Sequence, residues 1–274
     1  MAAQNIFMPK LIITDMDETI IKEGSTDLNP AYFDVIRSLT DKGVKFVIAS
    51  GRHPSSLRKA LAPVLDCIGI LSQNGGIIEI GGEQLLPNPL PKEWPQELWT
   101  ELAEKNAPGS IIYTPEFCYI PFGNTPLHKR LTEEYKFDVI VTDGWEKLPA
   151  DLTCVMMTIY HPEDSGAWTE ANLDCKWQDR LQVLVAGQSW VDLVPFANGK
   201  GAALERLCRE LSIDPADVIA FGDNMNDLSM IELAGTGIAV ANAKEPVKAA
   251  AAKIVPDYTE DGVLHELQEI LASL

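Results

Sequence analysis

Residues 11–20 read LIITDMDETI. The run 11–13 is apolar and mostly β-branched, the pattern of a strand buried on both faces. It leads into Asp15 and Asp17, one residue apart. Side chains two apart on an extended chain share a face, so these carboxylates repel each other unless something keeps them company. A solvated turn would do so, and so would a site holding a cation and a phosphate. A calcium loop does not fit: counted from Asp15, its sixth and twelfth positions hold Ile20 and Thr26 where Gly and Glu are required.

On either side of this stretch, strands and helices alternate. A helix is expected over 30–42, with Asn29 as its cap, Pro30 at its first position and Gly43 as its stop. VKFVIAS (44–50) reads as a second buried strand, GRHPSSLRKAL as a turn into a helix, and CIGIL (67–71) as a third strand. The last third repeats the style. A helix over 199–211 precedes a strand over 217–223, then come helix, strand, helix and a closing helix over 261–273. Apolar strands alternating with helices imply an α/β, Rossmann-like parallel sheet with helices on both faces.

The middle is different. LLPNPLPKEWPQELW, from 84 onward, carries Pro87, Pro89, Pro91 and Pro95, a density that suits a connection. Strand-like YIPF and LTCVMMTIY follow, with helical pieces near 96–105 and 125–136 and a hairpin over 181–195 hinged at Gly187. Residues 84–187 therefore read as an inserted α+β domain, with 1–83 and 188–274 as the core. Trp94, Trp99, Trp145, Trp168 and Trp177 fall inside the insert, where a core of its own explains them better than a substrate platform.

Composition narrows the function. The 274 residues are 46 % hydrophobic and 23 % charged, as in ordinary globular proteins. With 22 Lys and Arg against 40 Asp and Glu, the formal charge of −18 disfavours nucleic acid and anionic membrane surfaces as partners. A small anionic substrate needs local positive charge. Five scattered cysteines without a CxxC, and no targeting-like or membrane-spanning run, lead us to expect a cytoplasmic protein with reduced thiols. Four dispersed histidines without HExxH argue against zinc.

In an open parallel sheet, ligands bind where the strands end. Asp15 and Asp17 belong at that edge, and so do Asp223 and Asp227 of FGDNMND if the two strands are neighbours. A hard divalent cation, magnesium by its preference for oxygen, would relieve the four carboxylates. Ser50 of VIASGR stands just before a helix start, where a hydroxyl and free N–H groups suit a phosphate oxygen, or where it merely begins a turn. Arg52 is a cation at a helix start, which the helix dipole disfavours unless an anion is near; a surface ion pair is the other explanation. Lys200 in NGKG is either a surface lysine or the positive charge balancing a nucleophilic carboxylate and a phosphoryl group.

The order strand-DxDxT, strand-SGR, long insertion, Lys before a helix, strand-GDxxND resembles the haloacid dehalogenase (HAD)-like hydrolase superfamily of aspartate-nucleophile phosphatases. DMDET resembles the first motif, Ser50 the second, Lys200 the third and GDNMND the fourth. The large insertion, SQNGG (72–76) and EDGV (260–263) resemble the Cof-type sugar phosphatases, which carry an α/β cap for substrate specificity between the second and third motifs. Glu18 departs from the Gly of many relatives. The resemblance implies a magnesium-dependent phosphatase acting on a small phosphorylated metabolite, a sugar phosphate by the branch. Asp15 would attack phosphorus to form an aspartyl-phosphate, and Asp17 would serve as acid and then base. Metal would be held by the Asp15 carboxylate, the Asp17 carbonyl and Asp223. Ser50, Lys200, Arg52 and Asn226 would bind phosphate, supported by Asp227 and Asn74. A phosphomutase with the same core chemistry is the near alternative. A non-catalytic regulatory protein keeping the fold is the other, although loss of Asp15 or Asp17 would be expected of it.

Overall fold

The computed structural model describes residues 8–86 and 88–274, so Pro87 of the proline-rich connection lies outside it. Fourteen strands form two sheets among the described residues. The first five are β1 (Leu11–Asp15), β2 (Lys45–Ala49), β3 (Gly69–Ser72), β4 (Ile77–Ile80) and β5 (Glu83–Leu85). Then come β6 (Gly109–Tyr113), β7 (Cys118–Pro121), β8 (Val139–Thr142), β9 (Met156–Tyr160), β10 (Leu181–Val185) and β11 (Trp190–Pro195). The last three are β12 (Val218–Gly222), β13 (Thr236–Val240) and β14 (Lys253–Val255).

The larger sheet runs β14-β13-β12-β1-β2-β3-β4-β5. From β14 to β3 it is parallel, and β4 and β5 add an antiparallel edge. Every residue of β1 and β12 is buried, as their apolar runs require of central strands covered on both faces. β1 is the switch point: the chain goes to β2 and β3 on one side and later returns to β12 and β13 on the other. A crevice for ligands opens beyond the strand ends at such a point.

The first helix spans Ala31–Asp41 and buries Tyr32, Val35, Ile36 and Leu39, the spacing of one helical face. Asn29 Oδ1 accepts the Ala31 N–H at 3.1 Å, and Gly43 leaves the helix at φ +90°. Asn29 and Gly43 thus flank the helix as the sequence predicts, although it is one residue shorter at each end than 30–42 and Pro30 stands just before it.

The second sheet, β10-β11-β9-β6-β7-β8, is antiparallel except for the β7–β8 pair. It does not stop at Gly187. β11 pairs with β10 and β9 and so stays in this sheet to Pro195, while β5 keeps Glu83–Leu85 in the larger one. Pro95 also differs from expectation. It sits in the first turn of helix Glu93–Glu104, where its missing N–H would have had no partner. Trp99 and Trp177 are buried with Leu98 and Leu102 on one face of this sheet, and Trp94, Trp145 and Trp168 pack against them. The five tryptophans are thus the core of this part. All five cysteines are free thiols. Among the described residues, no helix is long and apolar enough to cross a membrane.

Candidate active site

β1 and β12 are neighbours in register, Thr14 opposite Phe221, so the residues that follow them emerge side by side. Asp15, Asp223 and Asp227 each bring a carboxylate oxygen to within 4.8 Å of the others, and all three are buried. Burial and the neighbouring Asp227 push the Asp15 carboxyl up to about 7. Burial, Asp15 and Asp227 push Asp223 up to about 9, although Thr19 Oγ1 donates to it at 2.9 Å.

Lys200 relieves part of this repulsion. Its Nζ donates to both Asp15 Oδ1 and Asp227 Oδ1, from a side chain only 1 % exposed. Burial alone would strip the proton from the lysine, but the two carboxylates outweigh it and raise the group above its usual value. Asp227 is engaged through both of its oxygens. Its Oδ2 accepts the N–H groups of Asp223 at 3.1 Å and Asn224 at 3.0 Å. Gly222 lets it tuck in this closely, since a Cβ there would lie 2.6 Å from the Asp227 Cβ.

Asp17 stands at the mouth of the cavity. Arg52 grips it with Nε at 2.8 Å and Nη2 at 2.5 Å, and the Gly24 N–H adds a bond at 3.1 Å. The third guanidinium nitrogen, Nη1, donates to the Ser25 carbonyl at 2.7 Å. The arginine expected at phosphate is therefore turned onto Asp17, though it still lines the cavity. Ser50 is buried, with Oγ accepting the Arg52 N–H at 3.1 Å. Glu18 takes a left-handed φ of +57°, which explains why glycine suits this position. Asn242 Nδ2 donates to the Glu18 carbonyl at 2.8 Å and braces the turn.

Asn74 and Asn226 belong to the same assembly: Asn226 Nδ2 donates to Asn74 Oδ1 at 3.0 Å. Each residue that the sequence nominated thus stands at the C-terminal edge of the larger sheet or one hydrogen bond away. Other cavity residues were not nominated. Glu23, Tyr113, Tyr135, Phe137, Thr158 and Asp192 line it too, nearly all from the second sheet and its helices. Trp190, just beyond the expected end of the insert, also lines the cavity, while Trp145 and His161 are not among its walls. The cavity encloses about 710 Å³ of empty space, its open mouth included.

A sheet edge bearing paired aspartates and a buried lysine, roofed by an inserted sheet, defines a phosphoryl-handling α/β hydrolase. A family model described as haloacid dehalogenase-like hydrolase matches residues 12–267. The chain is 27 % identical to the 5-amino-6-(5-phospho-D-ribitylamino)uracil phosphatase YwtE of Bacillus subtilis, over 96 % of this chain and 98 % of that one. It is likewise 27 % identical to the HMP-PP phosphatase of Yersinia enterocolitica, over 97 % of each chain. The crystal structure of a haloacid dehalogenase-like hydrolase from Bacteroides thetaiotaomicron superposes with a TM-score of 0.82 at 28 % identity, covering 96 % of this chain and 99 % of that one. The chain belongs to the haloacid dehalogenase-like hydrolase family, in its Cof-type branch. As an enzyme it is a phosphoric monoester hydrolase, the class expected from its motifs.

Proposed function

We propose that this chain hydrolyses the phosphate monoester of a small metabolite, a sugar phosphate or a compound of similar size, through an aspartyl-phosphate on Asp15. The observation that carries the reading is the Lys200 ammonium buried between Asp15 and Asp227. It fixes one oxygen of Asp15, and among the described residues no side chain or N–H is bonded to the other. A nucleophile held this way is oriented without being consumed by its neighbours.

In the first step an Asp15 oxygen attacks phosphorus, the bond to the ester oxygen breaks, and Asp17 gives that oxygen a proton. In the second step Asp17 takes a proton from water, whose oxygen attacks phosphorus and releases Asp15. Arg52 orients Asp17 through both carboxylate oxygens, one of which must be freed for proton transfer. Ser50, Lys200 and Asn226 would hold phosphoryl oxygens, and positioning of this kind is most of what phosphoryl transfer asks of a protein.

The donor set fits magnesium. Two buried carboxylates, Asp15 and Asp223, are driven toward protonation by mutual repulsion and burial, and all-oxygen ligands suit a hard cation. Asp227 is committed to Lys200 and to backbone N–H groups, so Asp15, Asp223 and the Asp17 carbonyl are the ligands we assign. The ion would neutralise charge between the nucleophile and a phosphate dianion.

We assign substrate selection to the inserted part, 84–187 in the sequence reading and extended by the second sheet to Pro195. Tyr113, Tyr135, Phe137 and Trp190 give the cavity a wall for the flat face of a ring, while Glu18 and Glu23 disfavour a second anionic group. The two phosphatases named above act on different compounds, so membership of the family leaves this choice to the wall. The test is release of inorganic phosphate from p-nitrophenyl phosphate with and without magnesium, beside Asp15→Asn and Asp17→Asn. Turnover that needs magnesium and falls in both variants is expected; an inactive wild type, or variants equal to it, would overturn the reading. Transfer to a sugar acceptor in place of free phosphate would indicate the phosphomutase.

A further inference from the structure

Asp192 is a buried carboxylate that neither the fold nor the chemistry above explains. It lies on β11, and burial pushes it up to about 6. Among the described residues it has no ion-pair partner. Thr158 Oγ1 donates to its Oδ1 at 2.6 Å, and Asn74 Nδ2 donates to its Oδ2 at 2.7 Å. A carboxylate held only by neutral donors is costly to bury, and an apolar residue would fill the space at less expense.

Asn74 is the reason the bond matters. It is fully buried and left-handed, at φ 52° and ψ 38°. Its N–H donates to the Ser50 carbonyl at 3.0 Å, and its own carbonyl accepts the Gly199 N–H, next to Lys200, at 2.9 Å. Its Oδ1 accepts from Asn226 at 3.0 Å. One residue thus ties together the Ser50 turn, the start of the Lys200 helix and the Asn226 loop, and its remaining donor goes to the second sheet. The Ser50–Arg52 turn also packs over the bond, because a Cβ at Gly51 would lie 3.3 Å from Asp192 Oδ2 and 3.4 Å from Asn74 Nδ2.

We infer that Asp192 is a positioning residue, whose hydrogen bond to Asn74 sets the inserted sheet against the three segments that hold the phosphoryl group. This rests on the phosphatase reading above. The bond is a strut: Asp192 lines the cavity but acts on the phosphoryl-holding segments through Asn74.

The pair offers a reciprocal test. Asn74→Asp sets two carboxylates against each other, and Asp192→Leu leaves the Asn74 amide without its acceptor. The double variant Asn74→Asp/Asp192→Asn restores the geometry with roles exchanged. Residue 192 then donates to residue 74, Asn226 still has an acceptor, and so does Thr158. Steady-state hydrolysis of p-nitrophenyl phosphate with magnesium is measured well below each variant's melting temperature. Each single variant is expected to lose roughly 10- to 100-fold in kcat/KM, the scale of a misplaced catalytic group, and the double variant is expected to return to within about threefold of wild type. Single variants with wild-type kcat and KM and only a lower melting temperature would make the bond purely structural and overturn the inference. So would a double variant no better than the singles, whether folded or not. An inactive wild type would instead refute the phosphatase reading, so the two failures are distinct.

Discussion

Asp15 and Lys200 stand 185 positions apart in the sequence and form a buried ion pair, the lysine side chain 1 % and the aspartate side chain 6 % exposed. The pair is possible because β1 and β12 are adjacent and the Lys200 helix starts against the loop after β3. It stabilises the fold and, on the function proposed above, also sets the nucleophile. Removing one partner of such a pair leaves an uncompensated charge in a medium that solvates it poorly. Here two carboxylates, Asp15 and Asp227, would be stranded. Lys200→Met is expected to lose about 3–5 kcal/mol of stability in urea unfolding and roughly 10²–10³-fold in kcat. A variant with the stability and turnover of wild type would show that the ammonium carries neither load.

Magnesium should act on stability as well as rate. A ligand that binds only the folded chain stabilises it by about 2.7 kcal/mol at a hundred times its Kd. For a chain of this size that amounts to a rise of roughly 5–10 °C in melting temperature. Melts of EDTA-treated protein with and without millimolar magnesium test this, and Asp223→Asn should reduce the shift. Coincident melts would remove the metal from the assignment.

Much of this was legible in the sequence, for a local reason. Asp15 and Asp223 each end an apolar run, so the edge on which they stand follows from the strands alone. Lys200 could be placed because its neighbours Gly199 and Gly201 mark a helix start. The Arg52–Asp17 grip was not legible: it is a rotamer choice made across 35 positions. Nor were Tyr135 and Asp192, whose place at the cavity depends on how one sheet sits over another. The β4–β5 hairpin, by contrast, is legible in the sequence although it is absent from the expectations above. Gly81 and Gly82 between IIEI and EQL are a recognised turn signal, and both take positive φ.

Gly75 shows how tightly the Lys200 helix is set. Its φ is +85°, and a Cβ there would lie 2.5 Å from the Ala203 Cβ and 2.9 Å from the Gly199 carbonyl oxygen. Gly75→Ala combines backbone strain with overpacking and should lose about 3 kcal/mol. Because the clash presses on the residue before Lys200, kcat should fall too. Alanine at Gly82, which has nothing within 4 Å, carries only the strain of its positive φ and serves as the control. Equal losses at the two positions would show that the contact at Gly75 is unimportant.

His53 makes stability depend on pH. It caps helix Pro54–Ala60, with Nδ1 accepting the Ser55 N–H at 3.2 Å, and Nε2 faces the Thr114 carbonyl at 3.1 Å. Nε2 therefore carries the proton, and a second proton on Nδ1 would oppose the Ser55 N–H. Burial lowers the imidazole from 6.5 to about 4. Below pH 6.5 the unfolded chain takes up a proton that the folded chain refuses, so stability falls with pH between about 6.5 and 4. The loss from this group approaches about 3 kcal/mol at the lower end. His53→Gln should be less stable at pH 7 and flatter across that window. A parallel pH profile for the variant would assign the acid sensitivity to other groups.

Glu23 joins the loop after β1 to the inserted part. Its Oε1 accepts from Tyr135 Oη at 2.8 Å and from Trp190 Nε1 at 3.1 Å, and Arg130 Nη2 lies 3.6 Å away. Arg130 also stacks on the Trp190 ring at 4.8 Å, and Arg52, which grips Asp17, lies 5.5 Å from the centre of the Tyr135 ring. These contacts join the inserted part to the core across the cavity, so they favour the covered arrangement over any opened one. Glu23→Ala removes the shared acceptor but leaves the groups around phosphorus in place. The covered state becomes less populated, and apparent substrate affinity falls in proportion to that population. For a phosphorylated substrate that fills the cavity, KM should rise about 5- to 20-fold, the effect of roughly 1–2 kcal/mol, with kcat changed less than threefold. For methyl phosphate, too small to touch the aromatic wall, the rise should be smaller. Equal rises for both substrates would place Glu23 at the phosphate and not at the join between the two parts, and no rise at all would mean that cover is maintained by the rest of the contact between the sheets.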